Sequence, residues 1–301
     1  MSEKASIMIY NRVTGRLEPE VVLGEGFVRF LYETASGRFL ASAIFKRRLF
    51  SKMFGLFQDT RVSARKIRKV AADLSIDLSE AEQVPEDFKS FNDFFTRSLK
   101  REARPIDPDP SVVVSPCDAR LLAFPGVDQG APFSVKGSEF CLDALLGDAQ
   151  LASEYAGGTL LIYRLCPADY HRFHFPESGV PGPVKTMNGP LHSVNPIALA
   201  GGMRILDSNL RQQTLIEAGN KAGRICMVEI GAMCVGSIVQ TFKPGVPIER
   251  GDEKGMFRFG GSTVVVLYEP GRVRMDGDIL DHSKKSIETF VRLGTSVGSY
   301  S

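Results

Sequence analysis

Towards the C-terminal end of this 301-residue chain, the run FRFGGSTVVVLY sets Gly260-Gly261-Ser262-Thr263 directly before β-branched and aromatic residues that predict a strand. A serine placed after a residue without a side chain can turn its hydroxyl back onto the preceding carbonyl. Gly261 leaves that approach open and tolerates unusual backbone angles. Such a serine could cut its own backbone between Gly261 and Ser262. The same tetrad is also ordinary turn chemistry ahead of a strand. A serine hydroxyl is a poor nucleophile until a base takes its proton, and that base needs an orienting partner. Four histidines could supply the base: His171, His174, His192 and His282. Two of them, His171 and His174, lie three apart between prolines in LCPADYHRFHFPESG, residues 165–179. An acid, Asp118, follows Pro116 by two positions in VVSPCDAR, residues 113–120, a placing that is also common in plain turns.

Paired histidines raise a metal reading, but zinc needs a third and a fourth ligand, and HExxH is absent. No metal is expected. Gly-Gly-Ser-Thr lacks the frame of a phosphate-binding loop. The five cysteines, Cys117, Cys141, Cys166, Cys226 and Cys234, are odd in number and show no CxxC spacing. They are expected to be reduced packing residues in a cytosolic setting. The N-terminal MSEKASIMIYNRVTGRLEPE has neither a basic region with an apolar core nor a cleavage site, so no leader is expected. The longest uncharged stretch, Ile230 to Phe242, falls short of the ~20 residues needed to span a bilayer.

Net charge is +2, but it is unevenly spread. Ten basic residues (Arg38, Lys46, Arg47, Arg48, Lys52, Arg61, Arg65, Lys66, Arg68 and Lys69) stand against the single acid Asp59, so this segment carries +9 and the remainder −7. A concentrated basic segment on a nearly neutral protein needs an anionic partner or a solvated helix face.

These residues need elements to position them. Residues 1–22 read as a short polar hairpin or arm. From about 24 to 80, Phe27, Phe30 and Leu31, then Phe39, Leu40, Ala43 and Ile44, then Leu49, Phe50, Met53, Phe54 and Phe57 recur at helical spacing with charges between them. Glu86–Lys100 reads as a further helix ended by the Arg104-Pro105 step. After Pro105, short β-branched runs at 112–114, 159–165, 191–194, 225–230, 235–242 and 263–268 are bounded by glycines and prolines. The expected fold is therefore α+β: an amphipathic helical N-terminal region, 1–104, then a β-rich antiparallel domain of sandwich or barrel type, 105–301.

With FNDFFTRSLKREARPID at 91–107, LHSVNP at 191–196 and VEIGAMCVGSI at 228–238, these motifs in this order resemble the phosphatidylserine decarboxylases, pyruvoyl-dependent enzymes made as self-cleaving proenzymes. The resemblance runs from about residue 24 to about residue 268. Two positions depart from it: Pro116-Cys117-Asp118-Ala119 stands where Pro-Ala-Asp-Gly is usual, and Gly260 stands where leucine is most common.

The resemblance implies that Ser262 attacks the Gly261 carbonyl, that elimination separates chains 1–261 and 262–301, and that Ser262 becomes a covalent pyruvoyl group serving as the cofactor. It implies His174 as the base of this maturation, Asp118 as its orienting carboxylate, and His171 as the proton donor in decarboxylation through a Schiff base. It further implies phosphatidylserine as substrate and phosphatidylethanolamine as product. The two chains would stay together as a heterodimer, with further dimerisation left open, and nucleic acid has no part. The basic amphipathic N-terminus fits docking on the cytoplasmic face of an anionic membrane, as a peripheral protein; packing on the β domain is the alternative for its apolar stripes. Other readings are a pyruvoyl-dependent decarboxylase of a soluble amino acid, a serine hydrolase using Asp118, His174 and Ser262, and a non-catalytic membrane-binding module. No G-x-S-x-G elbow supports the hydrolase.

Overall fold

The computed structural model describes residues 7–20, 26, 30, 34, 37, 55–130, 132–135, 138–192, 205–219, 221–232, 238–260 and 262–301. The strands, in chain order, are β1 (Met8–Asn11), β2 (Arg16–Pro19), β3 (Val112–Val114), β4 (Ala119–Pro125), β5 (Phe133–Val135), β6 (Ser138–Phe140), β7 (Thr159–Leu165), β8 (Arg172–His174) and β9 (Val180–Pro181). They continue with β10 (Lys185–Met187), β11 (Arg211–Glu217), β12 (Arg224–Gly231), β13 (Ile238–Gln240), β14 (Glu253–Phe257), β15 (Ser262–Tyr268), β16 (Val273–Met275), β17 (Glu288–Val291) and β18 (Ser296–Tyr300).

Ten of these strands form one sheet in the order β10-β11-β12-β15-β7-β4-β17-β1-β2, with β9 also on β11. Every pairing in it is antiparallel except β1 with β17. Its middle is covered on both sides, so β7 and β15 are buried along their whole length. That burial is why TLLIYRL and STVVVLY read as nearly unbroken apolar runs rather than alternating ones.

On one face Val265, Leu267, Leu160 and Ile162 pack under the helices Leu142–Leu146 and Ala149–Tyr155. On the other face Val264, Val266, Leu161, Tyr163 and Leu165 meet Phe173 and Phe257 from the small sheet β13-β14-β8, and Val113 and Val297 from the sheet β16-β18-β3. The β-rich antiparallel reading of the second region thus holds.

Several strands carry charge in their interiors, which hid them from the sequence pattern. Arg120 is the second residue of β4 and Arg211 the first of β11, both buried, and β14 carries Lys254. The 191–194 strand is not formed at Leu191–His192, and residues 193–194 lie outside the described set.

Of the expected helical stretch from 24 to 80, residues 38–54 and most of 24–37 also fall outside it. Described residues 26, 30, 37 and 55–58 are helical, and the helices that follow are short: Arg61–Ala64 and Ile67–Asp73. The helix expected over Glu86–Lys100 is confined to Phe91–Phe95. Ser90 caps it by accepting the Asp93 amide, and residues beyond Thr96 turn extended, with the Lys100 amide donating to the Glu80 carbonyl at 2.9 Å. Phe88, Phe91, Phe94 and Phe95 cluster with Ile67 and Ala71, and Phe259 packs on that cluster.

On the face of the sheet that carries Val264, Lys254 Nζ reaches Glu229 at 3.0 Å and Gln240 Oε1 at 3.0 Å, both charges fully buried. Removing one partner strands the other charge away from water. Lys254→Met should therefore destabilise the fold by about 3–5 kcal/mol, and adding Glu229→Leu should restore most of the loss. Urea midpoints of the single and double variants check this, and a double variant no better than the single would contradict it.

Candidate active site

Ser262 opens β15 and is paired on both sides, opposite Leu165 of β7 and Gly231 of β12. Strand alternation puts its side chain on the same face as Val264 and Val266, towards the small sheet. The residue is fully buried and its Oγ has no hydrogen-bond partner. Just before it, Gly260 adopts φ +144°, a value side chains disfavour. Phe259 is held by its amide, which donates to Asn92 Oδ1 at 2.8 Å, and by ring contacts with Phe91 and Phe95 at 4.9 and 5.0 Å. The FNDFF helix thus grips the segment leading into Ser262. Gly261 lies outside the described residues.

His171 sits on the loop between β7 and β8, fully buried, its ring 3.8 Å from that of Phe95. Its Nδ1 donates to the Asp169 carbonyl at 3.0 Å. A carbonyl can only accept, so Nδ1 carries the hydrogen and the neutral ring keeps a lone pair on Nε2. That Nε2 is buried and unpartnered. Burial pushes the His171 pKa down to about 3, with Arg97 and Arg120 adding to the fall and the carbonyls of Asp169 and Gly260 opposing it. The Gly260 carbonyl therefore lies beside this ring, one residue from the expected cleavage pair.

His174, at the end of β8, is arranged in the same way. Nδ1 donates to the Gly251 carbonyl at 2.9 Å, and Nε2 is buried without a partner. Burial lowers its pKa, while the Gly251 carbonyl, Glu253 and Asp118 pull it upwards. Both imidazoles are consequently neutral bases with Nε2 free to take a proton.

Asp118 precedes β4 and is buried. Its carboxylate takes Arg104 Nε at 2.9 Å and Nη2 at 2.7 Å, plus the Leu293 amide at 2.8 Å. The hydrogen bond to His174 expected of an orienting carboxylate is not the one made. A guanidinium fork binds a carboxylate in two places at once, which a single imidazole N–H cannot match. Orientation of His174 falls to the Gly251 carbonyl, and Asp118 acts on the ring through space. Arg104 is fixed from its other side by Glu80 at 3.0 Å.

The other two histidines are elsewhere: His282 stacks on Tyr10 at 4.2 Å, and the His192 backbone binds Asn209. Among the described residues no group of three or more His, Cys, Asp and Glu side chains is placed to hold a metal ion.

Comparison with known proteins matches residues 91–299 to the family described as phosphatidylserine decarboxylase. The chain is 45% identical over 296 residues to the phosphatidylserine decarboxylase proenzyme of Chlamydia muridarum, covering 98% of each chain. It is 40% identical over 293 residues to that of Clostridium beijerinckii and 42% identical over 293 residues to that of Clostridium botulinum strain Kyoto, covering 97% of this chain and 99% of each relative. The chain belongs to the phosphatidylserine decarboxylase family.

In this family member, four side chains that sequence reasoning passed over prove central to the site. Asp169, inside the PADYH run, pairs with Arg120, accepts the Cys166 amide at 2.7 Å, and offers its own carbonyl to His171. Arg104 fixes Asp118, Asn92 holds Phe259, and Arg97 lies buried near His171. A buried carboxylate signals that some cation must accompany it, but among 37 lysines and arginines nothing in the spacing names Arg104.

A folded-state pKa of about 3 against an ordinary 6.5 makes His171 bind its proton less readily in the native protein than in the unfolded chain. Its contribution to stability is complete above about pH 6.5 and is lost as pH falls towards 3. Urea unfolding from pH 7 to pH 4 should show stability declining with pH. The decline should be shallower by about one proton in His171→Phe, which keeps a ring against Phe95. An identical slope in the two proteins would show that His171 is not buried neutral.

Proposed function

We propose that this chain is a proenzyme that cleaves itself between Gly261 and Ser262, and that its mature form decarboxylates phosphatidylserine to phosphatidylethanolamine. The observation that carries this reading is a buried serine hydroxyl without a partner at the mouth of a strand, at an end of the sheet where two neutral imidazoles also present unpartnered Nε2 atoms. Buried polar atoms left unsatisfied cost free energy and call for an explanation, and proton transfer to and from Ser262 supplies one.

These residues fit a pyruvoyl group formed at Ser262. That group would supply an electrophilic carbonyl for the substrate amine and a conjugated carbonyl that accepts electrons as carbon dioxide leaves. In maturation, His174 Nε2 takes the Ser262 proton, the Gly251 carbonyl keeps its ring oriented, and the charge of Asp118 favours the imidazolium that forms. In turnover, His171 holds the proton needed at the substrate carbon. An anionic substrate beside the ring favours its protonated form and so offsets the effect of burial.

After cleavage the small chain keeps β15, which lies between β12 and β7. Its ladders on both sides hold 262–301 on 1–261, giving a heterodimer without a new interface.

Intact mass and variant processing test this together. The wild type should yield chains of 261 and 40 residues, the smaller about 4 kDa of the 33.0 kDa total and blocked at its N-terminus. His174→Ala and Asp118→Ala should leave mostly uncleaved precursor, whereas His171→Ala should be cleaved yet release little carbon dioxide from phosphatidylserine. Fully active uncleaved protein would overturn the reading; uncleaved His171→Ala beside processed His174→Ala would reverse the two roles.

Membrane association belongs to the same proposal. Among the described residues no helix is long and apolar enough to cross a bilayer. Leu56, Phe57 and Val62 are 59%, 50% and 59% exposed, next to Arg61 and Arg65, a pairing of apolar and basic side chains suited to an anionic lipid surface. Arg38, Lys46, Arg47, Arg48 and Lys52 of the basic segment lie outside the described residues. Replacing Leu56 and Phe57 by serine should weaken binding to phosphatidylserine-containing vesicles at any salt. Arg61→Gln with Arg65→Gln should weaken it chiefly at low salt, each charge contributing about 1 kcal/mol. Self-cleavage should be unchanged in both, and unaltered vesicle sedimentation would remove this surface from the proposal.

A further inference from the structure

The guanidinium groups around the site nearly all meet a carboxylate directly. Arg104 binds Asp118 and Glu80, Arg120 binds Asp169, Arg164 binds Glu288, and Arg172 binds Glu253 at 2.6 Å. Arg97 does not. It is 5% exposed, its Nε has no partner, and among the described residues its guanidinium makes one hydrogen bond, a 3.5 Å contact from Nη1 to the Phe94 carbonyl. The Phe94 ring lies 5.1 Å away, which offsets only a small part of the cost of burying a cation.

Its position is equally specific. Arg97 follows by two residues the Phe95 whose ring lies against His171. Its charge is felt at His171, while Asp118 and Asp169 act on it without touching it. A buried arginine always keeps its charge, so an unpaired one beside a reaction site is provision for an anion that arrives later.

We infer that Arg97 binds the phosphodiester of the substrate headgroup. This rests on the proposed decarboxylation and adds to it the group that recognises the substrate. The headgroup of phosphatidylserine offers two anions, a phosphodiester and a carboxylate, and they differ in what binding them does to the reaction. The carboxylate must lose its charge as neutral carbon dioxide departs. A guanidinium clamped on it would stabilise the ground state more than the transition state and slow the reaction. The phosphodiester keeps its charge throughout, so binding it strengthens association and orients the headgroup at no cost to the chemical step. Its oxygens also match the fork of the guanidinium.

The test uses mature enzyme carrying Arg97→Met or Arg97→Lys and two soluble probes titrated by calorimetry. Glycerophosphoethanolamine has the phosphodiester and no carboxylate; L-serine has the carboxylate and no phosphate. Arg97→Met should weaken glycerophosphoethanolamine by roughly 10- to 100-fold, the worth of a charged hydrogen-bonded contact, and leave L-serine unchanged. The Michaelis constant for phosphatidylserine should rise in step, by a larger factor than any change in the turnover number. Arg97→Lys, which keeps the charge and loses the fork, should fall between, and it carries the same comparison should the methionine variant not fold. Unchanged glycerophosphoethanolamine affinity in both variants overturns the assignment; weakened L-serine with intact glycerophosphoethanolamine moves the arginine to the carboxylate. A wild-type chain that never cleaves would sink the proposed function instead, since calorimetry reads phosphodiester binding in either form.

Discussion

Water is excluded from the end of the central sheet where β7 leaves off and β15 begins, and each charge placed there has to be compensated from within the protein. On one face of the sheet Arg164 meets Glu288 and Glu20, and Arg120 meets Asp169 and Glu20, all of them buried. Burial raises the Cys166 thiol well above its usual range, so it stays neutral and donates to Glu20 at 2.6 Å. This cluster ties the β1–β2 hairpin, β4, β7 and β17 to one loop. Asp169 closes that loop by accepting the Cys166 amide, and its own carbonyl then fixes the His171 ring. Charge compensation in the sheet and orientation of an imidazole are thus one structural unit.

On the other face the same exclusion keeps both histidines neutral. Each gives its Nδ1 hydrogen to a backbone carbonyl rather than to a carboxylate, a weaker partner that leaves the ring poorly able to hold a second proton. With Ser262 Oγ and His174 Nε2 buried without a partner, and His171 Nε2 left with only the nearby Gly260 carbonyl, the site carries unsatisfied polar groups at about 1–3 kcal/mol apiece. Structures hold such groups where chemistry uses them, and the surrounding core makes up the difference. Here that core is substantial, because β7 and β15 are buried along their whole length.

The N-terminal aromatic helix matters more to this site than its five residues suggest. Phe95 lies on His171, Phe91 and Phe95 clasp Phe259, and Asn92 holds the Phe259 amide, so the approach to Ser262 is set by residues about 170 positions earlier. Arg104 extends the same connection, joining Glu80 to Asp118. The region before Pro105 therefore packs against the candidate active site and also presents a candidate membrane surface.

Local sequence by itself determined the strand that begins at Ser262, because a β-branched run after two glycines allows little else, and the repeat of short apolar runs determined a β-rich second region. Residue type alone left four histidines as candidate bases; it was the family resemblance of the YHRFH, SPCDA and GGST runs that singled out His171, His174, Asp118 and Ser262. Local sequence missed β4, β11 and β14, whose interior arginines and lysine look like surface residues until their distant partners are known. It gave Asp118 to His174, when only the folded chain shows Arg104 in that place and Gly251 behind the histidine. Nor could it distinguish Arg97 from the other basic residues. Residue type is local, but whether a charge has found its partner depends on burial and on contacts made across a hundred residues or more, and those belong to the tertiary structure alone.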